Sequence, residues 1–488
     1  MDARALGQGW VGVLLECDST DVLIDAAEAV QEGQAPARII EIINAYASQN
    51  NSSELVIDPD FGAAPIGFGS EDDGTSPEAF VPKNSRKFIV RAFIKAESRE
   101  RMPHETAVGR VYSDTIIGSY LTGGSSRAVG ETAIVREKLG VETLGEKDLD
   151  GLGVAIAIMD SGIYLPHLTR LWMKQELDPA LALGTPKPYV DAGNSWTPDT
   201  LATTPGMHRI GHGTMCAYDA LIAAPKATLL DMPMLLARPL ADHSAQATIS
   251  AAMQAYWSLI TKWVINPVLG KGEPPYKALV VSNSWGIFHP SLDFDSTHPG
   301  RFIDNPDHIF RTMIKVLAHA GVDVVFAASN CGPDCPSPVC LTQTGGMIMG
   351  ANAYPEVLTI AGCDVHDERV GYSSKGPAIA MVQQRPNMAP QTLPPAQKPD
   401  LTAYTHFLGS KTFRSFAPDS GTSAACAVAA GCVAALRTKA ERKGTSSAAL
   451  FQALKDTALK PAGPNWNPGN GHGIIRPVAA AQSLGLIS

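Results

Sequence analysis

The feature that most limits what this chain can become lies after Gly151. Four short runs there are almost continuously apolar and rich in β-branched residues, at 154–159, 279–282, 322–328 and 357–361, with helix-spaced stretches at 245–264 and 309–320 between them. A strand exposed on one face alternates polar and apolar residues, whereas one buried on both faces does not. Runs of this kind separated by helices predict an α/β fold in three layers: a mostly parallel sheet with helices on both faces. In such sheets sites are built at the carboxyl ends of the strands, so the residues just past each run are the candidates for chemistry.

The first 150 residues read differently. They carry 14 Lys and Arg against 25 Asp and Glu, a balance of −11, whereas the remaining residues carry 25 against 23, a balance of +2. A boundary near residue 150 follows, in keeping with a chain of 488 residues, longer than the usual single domain. Neither portion is a basic surface, so no nucleic-acid partner is expected. Residues 20–50 place Val22, Leu23, Ala26 and Val30, then Ile39, Ile40 and Ile43, at helical spacing, which predicts two short helices. Residues 51–85 are rich in Gly, Ser, Pro and acids and read as a loop or linker. KFIVRAFI at 87–94 alternates as a strand does, and a second strand is expected within 110–121. The expected organisation is therefore a smaller α+β region over 1–121, a connector over 122–150 with a short helix at 133–139, and the main domain over 151–488.

No stretch approaches the roughly 20 apolar residues of a membrane span, so no membrane partner is expected. The apolar run at 11–15 is short and lies among Asp2, Glu16 and Asp18, unlike a secretory leader, and a cytoplasmic protein is the expectation.

Three segments carry the chemistry. Asp160 ends the first apolar run and is followed by the small residues Ser161 and Gly162. His212 lies between Gly211 and Gly213 at the start of a helix-like run of small and apolar residues. Ser423 follows Gly421, which can supply an unusual backbone angle, and opens a helix made almost entirely of Ala, Val, Cys and Gly. A helix start offers free N–H groups to a developing oxyanion. Each segment has a plain structural reading alone: a strand-end acid, a structural histidine, a Ser/Thr cap. Together they supply what a serine nucleophile needs, a base to take its proton and an acid to orient that base.

The segments IAIMDSGI, GHGTMCA and SGTSAACAVAAG resemble the Asp, His and Ser motifs of the subtilases, in that family's chain order, over roughly residues 150–485. The resemblance implies a subtilisin-like three-layer fold with a seven-stranded sheet. It also implies hydrolysis of protein or peptide substrates through an acyl-enzyme, with Ser423 as nucleophile, His212 as general acid and base, and Asp160 as orienting carboxylate. Asn330, ending the strand VVFAASN, is similar to the family's oxyanion asparagine, with Asn283 as its rival. Ser284, Trp285 and Gly286 resemble the strand that pairs substrate and walls the S1 pocket, and Ala328 joins them as a substrate-binding candidate. Trp285 is bulky for that place and either narrows the pocket or packs away from it. The family's Ser motif runs on through Pro and His, where this chain has Ala427 and Val428. No cofactor or metal is expected, since no acidic cluster makes a clear calcium site. The family's N-terminal prodomains pack on the catalytic domain and block the cleft. Residues 1–150 are expected to be such a region or a standing regulatory domain.

Cys331, Cys335 and Cys340 lie just after Asn330 and admit three states: free thiols, a disulfide within the loop, or a zinc site completed by Cys363 or His366. A dedicated peptide-maturation protease or macrocyclase on the same triad is the alternative within enzymes, and residues 165–205 could cap its cleft. A dead binding scaffold is disfavoured because all three triad residues are retained. An α/β-hydrolase esterase is disfavoured because Ser423 lacks a G-x-S-x-G elbow. With a histidine base, activity should fall below about pH 6 to 7.

Overall fold

The computed structural model describes residues 9–18, 55–58, 61, 64–65, 87–95, 105–106, 109–119, 127–174, 187–198, 201–236, 246–296, 298–337, 340, 348–384, 389–413, 415–441, 444–461, 463 and 465–488. The two helices expected within 20–50 lie outside them.

The N-terminal region is an antiparallel sheet. Its strands are β1 (Trp10–Asp18), β2 (Leu55–Ile57), β3 (Ala64–Pro65), β4 (Lys87–Lys95), β5 (Glu105–Thr106) and β6 (Gly109–Ser113), ordered β2-β4-β1-β6-β5 with β3 also on β4. The short run at 11–15 is thus the middle of a strand, and β2 and β3 fall inside the expected linker. The single strand expected within 110–121 is two, β6 and β7 (Ile116–Ser119), because Asp114 and Thr115 turn the chain between them. Asp114 is buried and accepts from Ser250 N at 2.8 Å, from Ser250 Oγ at 3.0 Å and from Arg91 Nε at 2.6 Å.

The connector holds α1 (Thr132–Leu139) and α2 (Val141–Glu146). The main domain then runs β8 (Val154–Met159), α3 (Leu165–Met173), α4 (His212–Leu221), β9 (Thr228–Met232), β10 (Gln246–Thr248), α5 (Ile249–Ile260), β11 (Ala278–Asn283) and β12 (Trp285–Gly286). It continues with α6 (Ile309–His319), β13 (Asp323–Ala327), β14 (Leu358–Cys363), β15 (Val382–Gln383), β16 (Gln391–Thr392), β17 (Leu401–Tyr404), α7 (Gly421–Arg437), α8 (Ser447–Asp456) and α9 (Pro477–Ser483). The central sheet has the order β17-β14-β13-β11-β8-β9 and every neighbouring pair is parallel. It has six strands rather than the expected seven. Beside β9 the described chain makes only the single parallel bridge Val190–Leu229.

Helices α1, α2, α3, α4, α7, α8 and α9 bury their apolar residues against one face of this sheet, and α5 and α6 against the other. Every residue of α7 is buried, which its Ala, Gly and Cys content permits. A Cβ at Gly431 would lie 2.2 Å from Ala220 O, so a glycine is what lets α7 approach α4. At the far end of α7, Arg437 holds buried Asp323 at the start of β13, with Nη2 2.8 Å from Oδ1. No described helix is long and apolar enough to cross a membrane.

The two parts share a core: Leu14, Phe61, Ile89, Tyr112 and Ile117 join Met159, Leu230, Ile249 and Trp285 in one apolar cluster. A second small sheet is built from both parts. Strand β7 lies between β10 and β12, antiparallel to each, with Gly118 opposite Gln246 and Gly286 and Ser119 opposite Trp285.

Candidate active site

Strand β8 ends at the sheet's carboxyl edge and hands on to Asp160, whose backbone stays tied to the next strand through Met232 O. The side chain is fully buried. His212 Nδ1 lies 2.8 Å from each of its oxygens, and Oδ1 also accepts from Ser161 N at 2.7 Å. His212 opens α4, and its Nε2 is buried with no hydrogen-bond partner.

The turn after Asp160 and the start of α4 interlock. Gly213 N donates to Ser161 Oγ at 3.1 Å and Tyr164 N to Thr214 Oγ1 at 3.0 Å. A Cβ at Gly213 would stand 2.5 Å from Gly162 O, so the glycine after His212 is required by close approach. Asp231, in β9, completes the clamp by accepting from Ile163 N at 3.1 Å and Gly206 N at 2.7 Å. Burial pushes its carboxyl up to about 7, the two backbone donors act against that, and the Asp160 charge adds to it.

Ser423 sits in the first turn of α7, after Gly421 at φ +82°. Its Oγ lies 3.5 Å from Ser284 O, and Ser284 Oγ donates to Ser423 O at 3.1 Å. The step between β11 and β12 is thereby fixed against the nucleophile candidate. Buried Cys216, one turn after His212, has its thiol 3.7 Å from Asp160 Oδ2 and 3.8 Å from His212 Nδ1. Burial and then the Asp160 charge push that thiol well above its ordinary range, so it stays neutral. Asp160, His212 and Cys216 are the described group that converges closely enough to hold a metal, but all three are already engaged with one another.

The two asparagines separate cleanly. Asn283 Oδ1 accepts from Tyr256 Oη at 3.0 Å and Trp285 Nε1 at 3.1 Å, while Nδ2 donates to Val281 O at 3.2 Å and Val325 O at 3.1 Å. All its hydrogen-bonding capacity goes into the fold. Asn330 instead has Oδ1 held by Thr422 N at 2.8 Å and Thr422 Oγ1 at 3.0 Å, beside Ser423. An N–H must face an acceptor, so this pair fixes which end of the amide is the donor. The residue before it, Ser329, is held at φ +85°, a conformation that costs a non-glycine residue of order 1–3 kcal/mol.

Of the substrate-binding candidates, Ser284 touches Ser423 and Gly286 lies on the edge paired with β7. Trp285 packs away from the cleft: it is fully buried and edge-on to Phe326 at 5.2 Å. Ala328 is buried, with its N–H on Ile360 O. Cys331 and Cys340 form a disulfide and Cys335 is an exposed free thiol, which removes the zinc alternative, since buried Cys363 bonds Ala403 O. Sequence reading did not single out Ser161, Cys216, Asp231 or Thr422 beside these candidates, nor the pairing of β7 with β12, which begins just past Ser284.

The chain is a hydrolase of the serine peptidase class, as its family match shows. Residues 151–473 match Peptidase_S8, the Subtilase family, and the chain belongs to that family. Two solved structures of MycP1 are similar to it. One, with the N-terminal propeptide removed, is 20% identical, covering 71% of this chain and 96% of that chain with a TM-score of 0.41. The other, described as MycP1 from the ESX-1 type VII secretion system, is 17% identical, covering 75% and 88% with a TM-score of 0.44. No match is found among curated proteins.

Proposed function

We propose that this subtilase is an endopeptidase in which Ser423 attacks the scissile carbonyl, His212 carries the proton to the leaving amine and Asp160 steadies the imidazolium. The observation that carries this reading is the bracketing of His212 Nδ1 by both oxygens of buried Asp160, with Nε2 buried and unpartnered. A carboxylate on Nδ1 holds the tautomer whose Nε2 accepts a proton. Asn330 Nδ2 and the Ser423 N–H at the start of α7 would donate to the oxyanion, and the resulting acyl-enzyme would be hydrolysed by water.

The N-terminal region belongs in the same proposal as the enzyme's own inhibitor. Strand addition is how clefts of this kind hold extended peptide, and β7 already fills the slot between β10 and β12. The compartment was expected to be cytoplasmic, whereas the Cys331–Cys340 bridge favours an oxidising one.

The test is labelling with a fluorophosphonate alongside hydrolysis of casein. Wild type should label and digest casein, and Ser423→Ala should do neither, with activity lower by about 10⁴-fold or more. Labelling that survives Ser423→Ala would remove Ser423 from the role. Labelling without casein hydrolysis would favour a dedicated substrate.

A further inference from the structure

Three cysteines follow Asn330 in one short loop, and two of them close that loop on the asparagine. Cys331 is bonded to Cys340, and both are buried, at 1% and 0% exposure. Backbone bonds complete the ring: Ser337 N donates to Asn330 O at 2.9 Å and Cys340 N to Ser337 O at 2.9 Å. Asn330 thus sits at one corner of a covalently closed loop, next to Ser329 at φ +85°. A non-glycine residue keeps such a conformation only where its surroundings impose it. Here Ser374 N donates to Ser329 O at 3.0 Å, Cys331 N to Ser374 Oγ at 3.2 Å, and Ser329 Oγ to Cys331 Sγ at 3.4 Å. The last of these ties the strained residue to the bridge itself.

The third cysteine is placed to open that bridge. Cys335 is an exposed free thiol, whereas the free thiols of Cys216, Cys363, Cys426 and Cys432 are buried. It folds back toward the Cys331 end of the loop: a Cβ at Gly332 would lie 2.5 Å from Gly371 O, and one at Gly371 would lie 3.3 Å from Cys335 Cβ. The same wall reaches the helix of the nucleophile candidate, since Gly332 N donates to Tyr372 O at 2.8 Å and Gly421 N to Tyr372 Oη at 3.1 Å. Exchange depends on access to the sulfur attacked, so a buried bridge favours a thiol of its own loop over one in solution. Of the two bridged sulfurs, Cys331 Sγ has a hydroxyl donor, which eases its departure as a thiolate.

Resting on the protease reading above, we infer that the Cys331–Cys340 bridge is a positioning element for Asn330, and that Cys335 switches it off by thiol–disulfide exchange. The thiolate of Cys335 attacks Cys340 Sγ. The Cys335–Cys340 bond forms, the Cys331–Cys340 bond breaks, and Cys331 leaves as a thiolate that takes up the proton Cys335 gave to solvent. The chain neither gains nor loses electrons in that step. The new bond contains an exposed sulfur, where a small monothiol such as glutathione attacks. One molecule forms a mixed disulfide with Cys335 and frees Cys340, and a second releases Cys335 as a thiol and leaves as glutathione disulfide. In both products Cys331 is free, Ser329 relaxes, and Asn330 Nδ2 leaves the place of the oxyanion donor.

Steady-state kinetics on a peptide substrate and non-reducing peptide mapping test this on the full chain, before and after incubation in reduced glutathione. Wild type should lose kcat by about tenfold or more at unchanged KM, and oxidised glutathione should restore it. Cys335→Ser should start with the wild-type kcat and keep it in reduced glutathione. Cys331→Ser should carry a Cys335–Cys340 bond and show the lower kcat from the outset, with thermal melts to show that it is folded. A wild type that keeps its kcat in reduced glutathione, or equal loss from wild type and Cys335→Ser, would overturn the switch. The wild-type kcat in a folded Cys331→Ser would show that the bridge does not place Asn330, and a Cys331–Cys335 pairing in the wild type would overturn the direction of exchange. Each of these leaves the protease reading standing. Absence of peptide hydrolysis and of labelling at Ser423 in untreated wild type would remove the protease reading, and the inference with it.

Discussion

Thr422 places two donors on Asn330 Oδ1, its N–H at 2.8 Å and its hydroxyl at 3.0 Å. A side-chain amide pinned by its oxygen presents its NH₂ in a fixed direction, as a preorganised oxyanion donor must. Asn330→Ala is therefore expected to lower kcat by about 10²–10³ with little change in KM, read from steady-state kinetics on a peptide substrate. An equal loss in KM would mean that Asn330 holds the ground state instead. The family resemblance favoured Asn330 over Asn283, although both end apolar strands and strand position alone does not separate them. What strand position leaves open is how each amide is held, which depends on bonds made by remote partners. Thr422 is 92 positions from Asn330, Ser161 is 52 from Gly213, and Asp231 is 68 from Ile163. Asp160, His212 and Ser423 could be singled out because the expected chemistry requires those residue types in short local motifs; their supports are chosen by packing.

Helix α4, which begins with His212, and the run into α7, which carries Ser423, meet at two buried acids. Both oxygens of Asp219 are buried without a partner that donates to them, while Asp419 accepts from Ser410 N and, at 2.6 Å, from Ser410 Oγ. Burial and then the charge of Asp419 push Asp219 well above the carboxylate range, and burial pushes Asp419 up to about 6; Tyr218 and Arg136 also stand near the pair. An acid whose folded pKa is raised is most stabilising below its unfolded value, and that stability is lost as pH rises through the folded one. Asp219→Asn keeps a donor without the second ionisation. Its Tm should match wild type near pH 5 and exceed it by about 2 °C or more toward pH 9, measured by thermal melts across that range. A constant gap would show that the pair does not titrate. At this scale the continuous apolar runs gave β8, β11, β13 and β14 their places in advance. Strands β9 and β17 escaped notice because buried Asp231 and Thr402 interrupt them. The break between β6 and β7 exists because Asp114 anchors α5, a contact 136 positions away.

At the scale of the whole molecule, the N-terminal portion and the subtilase domain are joined through a shared apolar core and a small sheet built from both. The acidic balance of the first 150 residues marked a boundary, yet the shared core and the β10-β7-β12 sheet cross it. Period-2 patterning could show that 110–121 is extended, but not which edges it would pair with, since β10 and β12 are each only two or three residues long. If β7 restrains the enzyme, weakening its seat should release activity. Ile117 is fully buried in the same core as Trp285, and burying a charge among apolar side chains is costly. Ile117→Arg should expel the strand, so that casein hydrolysis starts without the lag expected of wild type, with an initial rate higher by about tenfold or more. Progress curves from freshly purified full-length protein report this directly, with thermal melts to show that the variant is folded. Identical curves from the two proteins, both without a lag, would mean that the strand in the cleft does not restrain the enzyme and that substrate reaches Ser423 past it.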